Sequence, residues 1–421
     1  MTRGQRNVIA LSAALALSVV GGAGAALAQD TTLRVAMGSP GEAGIRVWDA
    51  IAAQFEDMHP GVDVQMNYQD DDLYQTIGLP NLLSGRNAPD VYFEWTGDRM
   101  ATRYADGFAA DLTEAVTDGP LAGIYDPGVF PDASVDGKVV LVPHTADVTN
   151  VIWYNKEILE ANGVTPPTTW EELLAACDVL NEAGVIPIAS GNKDLWAAGN
   201  WLSHIASRVV GEDVYDATLS GEGKFSTPEW EQAFGYIEEL AARGCVNESV
   251  NAVDDNAGAQ LFFQGQAAMH PIGSWLVSWA IDENPDLDFD FVNLPAMPEG
   301  AAGNQDSVIG VSTGHMINAN SENIDLAIEF LALVNSPENV LAFINDAELA
   351  PLAESAEAAD MDERSERLTD LLKAGAPVVL PPDTGYDVEM ALQLYEAEAA
   401  VLGGQATPAE ALATLDQRLG R

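Results

Sequence analysis

The chain has 421 residues, too many for one small domain, and 47% of them are hydrophobic, which is enough to bury a sizeable interior in two domains. Its 65 acidic residues against 18 basic ones leave a net charge of -47, which repels nucleic acid and anionic lipid and excludes both as partners. The acids are spread along periodic segments rather than run in blocks, so the charge reads as a solvated surface of the kind salt-adapted organisms carry.

Arg3 and Arg6 precede an apolar run from Val8 to Val20, and Ala26-Leu27-Ala28 is a small-x-small cleavage signal before Gln29. This is the layout of a secretory signal peptide over residues 1–28, cleaved after Ala28. The run falls short of the roughly 20 apolar residues that span a bilayer, and no Cys follows the cleavage site. A free periplasmic protein is expected.

Beyond it, Leu33–Met37 reads as a strand, Gly44–Asp57 as a helix and Val62–Met66 as an alternating strand. A helix over Asp72–Ser84 and the apolar strand Val91–Phe93 complete a βαβαβ order, which implies a parallel sheet with helices on its faces. Strands follow near Val139–Pro143 and at Asn150–Tyr154, separated by a polar gap. Thr169 opens the next helix as a capping hydroxyl with Glu171 and Glu172 behind it. The strand Val185–Ile188 and helices over Leu195–Val209, Pro228–Arg243 and Ala257–Gln264 come next. Ala267–His270, Phe289–Leu294 and Val308–Ile317 are strands. The remainder is helical over Ile324–Val334, Pro337–Asn345, Glu363–Leu372 and Tyr386–Leu402, with a last helix opened by Thr407-Pro408.

Several segments together resemble a known family. His59-Pro60-Gly61-Val62-Asp63-Val64, Ser84-Gly85 with Ala88-Pro89-Asp90-Val91, and Trp153-Tyr154-Asn155-Lys156 with Pro166-Pro167-Thr168-Thr169-Trp170-Glu171-Glu172-Leu173 are three of them. Phe263-Gln264-Gly265-Gln266-Ala267-Ala268-Met269 before Gly273-Ser274-Trp275, and Gly403 to Leu412 near the C-terminus, are the others. In this order and spacing they resemble the family 1 extracellular solute-binding proteins, the family of maltose-binding protein. The resemblance implies an α/β, two-lobed periplasmic-binding-protein fold with discontinuous lobes and a ligand cleft between them. Residues 29–144 and 299–346 are expected in lobe 1, and 145–298 and 347–421 in lobe 2. Crossovers are placed near His144–Asp147, Leu294–Glu299 and Asn345–Pro351, and ligand closes the lobes about them. The implied function is capture of a carbohydrate, a mono- or oligosaccharide or a polyol, by a monomer that delivers it to the membrane permease subunits of an ABC importer. No cofactor and no metal is expected.

A sugar site needs aromatic faces against the ring and planar polar groups for its hydroxyls. The loop with Trp95, Asp98 and Arg99 follows a parallel strand, at the carboxyl end where α/β ligands bind, and it resembles the corresponding loop of the family. A helix cap with a salt bridge is the alternative. Glu42 resembles an acidic sugar contact; a first-turn acid favoured by the helix dipole is equally consistent. Asp147 sits in the first crossover, either facing the cleft or exposed as an ordinary hinge acid. Trp196 lies in a strand-to-helix connection where it can stack on a ring, and Trp275 matches a cleft-lining position. Trp201 is assigned to the core and Trp279 is a poorer candidate. Tyr386 and Asp387 precede the late helix and are placed at the edge of the site.

Catalytic motifs are absent: there is no His-Glu-x-x-His, no Gly-x-Ser-x-Gly and no phosphate-cradling glycine loop. The five histidines are scattered singly. The remaining alternatives are a secreted carbohydrate-active enzyme, whose carboxylate pair cannot be picked out among 65 acids, and a receptor that presents solute to a sensor system. Cys177 and Cys245 fall in helical segments of the same expected lobe, so a structural disulfide is expected in an oxidising compartment, against two buried free thiols.

Overall fold

The computed structural model describes residues 31–347 and 349–421; the expected signal peptide and its cleavage after Ala28 lie outside the described residues. The elements that frame the molecule are, in chain order, β1 (Thr31–Gly38), α1 (Gly41–Met58), β2 (Val62–Gln69), β3 (Val91–Trp95), α2 (Asp98–Ala105), β4 (Val142–Asn155), α3 (Trp170–Glu182), β5 (Ile186–Ile188), α4 (Trp196–Val210), α5 (Pro228–Ala242), β6 (Ala267–Ile272), α6 (Leu276–Glu283), β7 (Phe289–Val292), β8 (Val308–Ile317), α7 (Ile324–Val334), α8 (Pro337–Ala347), α9 (Glu363–Lys373) and α10 (Val388–Leu402).

Local chemistry explains most of them. On α1 the residues Val47, Trp48, Ile51 and Phe55 recur at helical spacing and are buried. They pack with Phe330 of α7 and Phe343 of α8 in the core of the first lobe. The Thr169 side chain accepts the Glu172 N–H while the Glu172 carboxylate accepts the Thr169 N–H, closing the expected capping box at the start of α3. The second lobe gathers Trp170, Trp201, Trp230, Phe234 and Leu394 into its main core; Trp201 is core, as assigned.

The strands run in the order β2-β1-β3-β8-β4-β6-β5. β1 is parallel to β2 and β3, as the βαβαβ order requires. β8 is antiparallel to β3 and to the first half of β4. The second half of β4 leaves that sheet and pairs with β6 and β7. One strand therefore belongs to both lobes. The polar gap expected between two strands is the middle of β4, and it reads as a gap because Thr145, Asp147 and Thr149 occupy alternate positions on one strand face. The β4–β8 ladder shifts register at Thr313/Gly314, a bulge that turns the strand. A Cβ on Gly314 would lie 2.2 Å from the Val142 carbonyl oxygen, so only glycine lets the strands approach there.

Three segments depart from expectation. Residues 299–307 pack on the second lobe rather than the first: the Ala302 and Gly303 N–H groups donate to Val209 and Arg208 carbonyls, and the buried Arg208 guanidinium donates to the carbonyls of Leu294 and Ser307. The return to the first lobe is β8 itself. Residues 349–361 pack on the first lobe, where Ala353 and Ala356 are core and the Leu352 N–H donates to the His144 carbonyl. The helix expected over 72–84 is broken into Asp71–Leu73, a wide π turn at Tyr74–Gly78 and Leu79–Leu83. That wide turn places Tyr74 in the core, its hydroxyl donating to the Phe93 carbonyl.

Cys177 and Cys245 form the expected disulfide, with Cα atoms 5.2 Å apart and a sequence separation of 68. It ties α3 to the residues that follow α5, inside the second core. Replacing both with alanine is expected to lower unfolding free energy by about 4 kcal/mol, the chain-entropy value for such a loop. Denaturant titration of wild type and variant measures this; a loss of under about 1 kcal/mol would show the bridge to be dispensable.

Candidate functional site

A cavity of about 840 Å³ lies between the lobes, against the exposed faces of β4 and β8. Its walls come from both sides. The first lobe contributes the β1–α1 loop and Glu42 in the first turn of α1, the segment Tyr68–Asp71, Gln75, Phe93 and Trp95. The second contributes Trp196 and Asn200 of α4, Asp255, Trp275, Trp279 of α6 and the turn Pro381–Thr384. Thr145, Asp147, Thr149, Thr313 and His315 form the floor on the shared strands.

The lobes touch at both flanks of the cavity. On one, the Ala43 N–H donates to Asp282 Oδ2 at 3.1 Å, with Arg46 3.7 Å from the same carboxylate. On the other, Arg99 Nε donates to the Asp383 carbonyl at 2.8 Å. Gly97 there has φ of 102°, and a Cβ on it would lie 2.5 Å from the Thr384 carbonyl oxygen; a side chain at this position is strained in itself and obstructs the contact.

Of the nine residues named from sequence, five line the cavity: Glu42, Trp95, Asp147, Trp196 and Trp275. Four do not. Arg99 lies across the rim, its guanidinium 5.3 Å from the Trp95 ring centre, where it braces that ring rather than facing the cavity. Asp98 is a first-turn acid of α2. The Tyr386 hydroxyl bonds to Asp216, away from the cavity. Asp387 caps α10 by accepting the Met390 N–H at 2.8 Å. Arg99, Tyr386 and Asp387 have local structural partners that draw them out of the cleft. Sequence reasoning missed Asp71, Asn200 and Asp383, and set Trp279 down as a poorer candidate although it too lines the cavity. Trp279 follows Trp275 by one helical turn, a spacing that was readable in the chain.

Burial sets the charge state of the cavity. Desolvation pushes the Asp147 carboxyl up to about 6 against hydrogen bonds from Ser274 Oγ at 3.1 Å and Thr145 Oγ1 at 3.4 Å. Desolvation also lifts Asp71 to about 6, with Asp70 and Asp383 adding to the rise and Gln75 and Arg99 opposing it. His144 and His315 are held neutral by burial, His144 down at about 4. Trp196 and Trp275 have ring centres 6.0 Å apart at 49°, so the cavity combines tilted aromatic faces with planar carboxylates and amides. That combination serves a solute with both apolar ring faces and hydroxyls. Among the described residues no cluster of three or more metal-ligating side chains is present.

Comparison with known proteins agrees with this architecture. The family model described as bacterial extracellular solute-binding protein matches residues 40–341. An uncharacterized ABC transporter extracellular-binding protein of Pyrococcus horikoshii is 26% identical over 247 residues, which cover 58% of this chain and 56% of that one. A probable sugar-binding periplasmic protein of Rhizobium meliloti is 25% identical over 218 residues, 49% of each. The chain thus spans about half the length of these curated relatives. A solved structure from work on xylan utilization by Caldanaerobius polysaccharolyticus superimposes with a TM-score of 0.85 at 22% identity, covering 92% of this chain and 100% of that one. The match over most of the chain shows that this protein belongs to the bacterial extracellular solute-binding proteins.

Proposed function

We propose that the protein captures a carbohydrate or polyol in the periplasm and delivers it, as a monomer, to the permease subunits of an ABC importer. The observation that carries this reading is the interlobe cavity of about 840 Å³, walled by Trp95, Trp196, Trp275 and Trp279 and by carboxylates from both lobes. A volume in the range of drug-sized ligand pockets holds a sugar of one to a few rings. Because each lobe supplies only part of the lining, binding energy is available to pull the lobes together. The relatives' names as ABC transporter and sugar-binding proteins support the same reading.

A thermal-shift screen of neutral mono- and disaccharides tests the proposal. A ligand at 100 times its dissociation constant adds about 2.7 kcal/mol of stability; product analysis of the same mixtures should recover the sugar intact, and bond cleavage would replace this reading with that of a carbohydrate-active enzyme. With a binding sugar in hand, Trp95→Ala and Trp275→Ala should each weaken affinity by about tenfold or more with the fold intact, since each removes an aromatic face. Unchanged affinity in both would remove them from the site.

The raised carboxyls of Asp71 and Asp147 set a pH dependence. Hydroxyls donating to a carboxylate favour its ionised form, so binding releases protons near pH 6 and affinity falls as the pH drops through that value. Calorimetry in buffers of different ionisation heat measures the protons released. Equal affinity at about pH 5 and about pH 8 contradicts the role given to these two groups.

A further inference from the structure

The middle of β4 presents Thr145, Asp147 and Thr149 in a row to the cavity floor. Both hydrogen bonds accepted by the Asp147 carboxylate come from neutral hydroxyls, those of Ser274 and Thr145. No lysine or arginine is among the described residues that line the cavity, although Glu42, Asp70, Asp71, Asp255, Asp282 and Asp383 also do. An anionic group recessed from water without a cation is costly unless something neutralises it. The acids on the outer surface are solvated and need no such partner; Asp147 is recessed.

Two features beside Asp147 point to what fills the gap. The Ser274 that bonds its Oδ1 is followed by Trp275, whose ring faces that of Trp196 across 6.0 Å. Thr149, one pleat further along the same strand, is 6% exposed and its Oγ1 is a buried hydroxyl with no hydrogen-bond partner. A carboxylate and a vacant hydroxyl on one strand face, and two tilted indoles on the wall that Ser274 joins to that carboxylate, all line the same cavity and together suit an ammonium group: the carboxylate neutralises it, an indole face attracts it, and the hydroxyl accepts one of its N–H bonds.

We propose that the corner formed by Asp147, Thr149, Trp196 and Trp275 binds the protonated amine of the solute, so that the cleft favours amino sugars or amino polyols over their neutral counterparts and excludes acidic sugars. This inference rests on the reading of the cleft as a carbohydrate site. Uronates and phosphorylated sugars would bring a negative charge to a cavity lined by carboxylates and neutral imidazoles, with no lysine or arginine among its described lining, where like charges repel strongly.

The test takes a neutral sugar that binds in the screen, together with its amino-sugar and uronic-acid analogues of the same linkage, and measures all three by calorimetry near neutral pH. Repeating the set in 1 M salt, where screening reaches about 3 Å, removes attraction from the acidic surface at large. The amine is expected to bind about tenfold more tightly than the neutral sugar in high salt, and the uronate more weakly than either. Asp147→Asn, which keeps the shape and removes the charge, should bring the amine and the neutral sugar to nearly equal affinity. An amine that binds no better than the neutral sugar in wild type, or a preference that survives Asp147→Asn in a folded variant, overturns the inference and leaves the carbohydrate reading standing. A screen in which no neutral, amino or acidic sugar binds overturns both.

Discussion

The pairing of β4 with β8 is the constraint on which the rest of the structure depends. These two strands run antiparallel from one lobe into the other, and the hydroxyls of Thr145 and Thr313 meet at 2.8 Å between them. A strand shared by two sheets cannot bury both faces along its whole length. Where β4 leaves the first sheet and before it is covered in the second, one face is left for the cavity. The polar residues there form the floor of the cavity on the strand that joins the two lobes, which is where the proposed closure would bend.

This explains what was legible in the sequence and what was not. The βαβαβ order, the capping box at Thr169 and Glu172 and the disulfide followed from local patterns that packing does not contradict. The polar middle of β4 did not, because a cleft-facing strand shows the same residue types as a loop. The second lobe boundary was placed too early because the segment 299–307 lacks regular structure, while the contacts that fix it to the second lobe come from Arg208, nearly 100 residues away. In the site, residues at the junction of a sheet strand and the following helix do line the cavity, as with Glu42 in the first turn of α1 and Trp95 at the end of β3. Asp387 and Tyr386 had the right residue types but found a helix cap and a hydrogen-bond partner nearby, and Asp98 sits in the first turn of α2. Asp383 carried no signal at all: it enters through the turn Pro382–Gly385 and the hydroxyl of Tyr395, which no short-range pattern reveals.

The large negative charge also separates into two parts by environment. Most of the acids are exposed, on helices and loops alike, where water and salt screen them. Those in the cleft are drawn partly out of water, and burial lifts Asp71 and Asp147 toward neutrality. The same residue type thus sets solubility on the outside and ligand chemistry within. Arg99 and Arg46, the two guanidiniums nearest the cavity, are spent on the rim, one against the Asp383 carbonyl and the Trp95 ring, the other against Asp282. They fasten the lobes to one another, and no lysine or arginine is among the described residues that line the interior.

The central claim is that two lobes close over a solute by bending at the shared strands. Small-angle X-ray scattering of the protein with and without a saturating bound sugar measures this directly, because rotation of one lobe against the other changes the radius of gyration of the whole particle. The account predicts a smaller radius with sugar bound, the bound protein holding the contacts from Ala43 to Asp282 and from Arg99 to Asp383 that this structure already shows. The same radius with and without a sugar that demonstrably binds would contradict it.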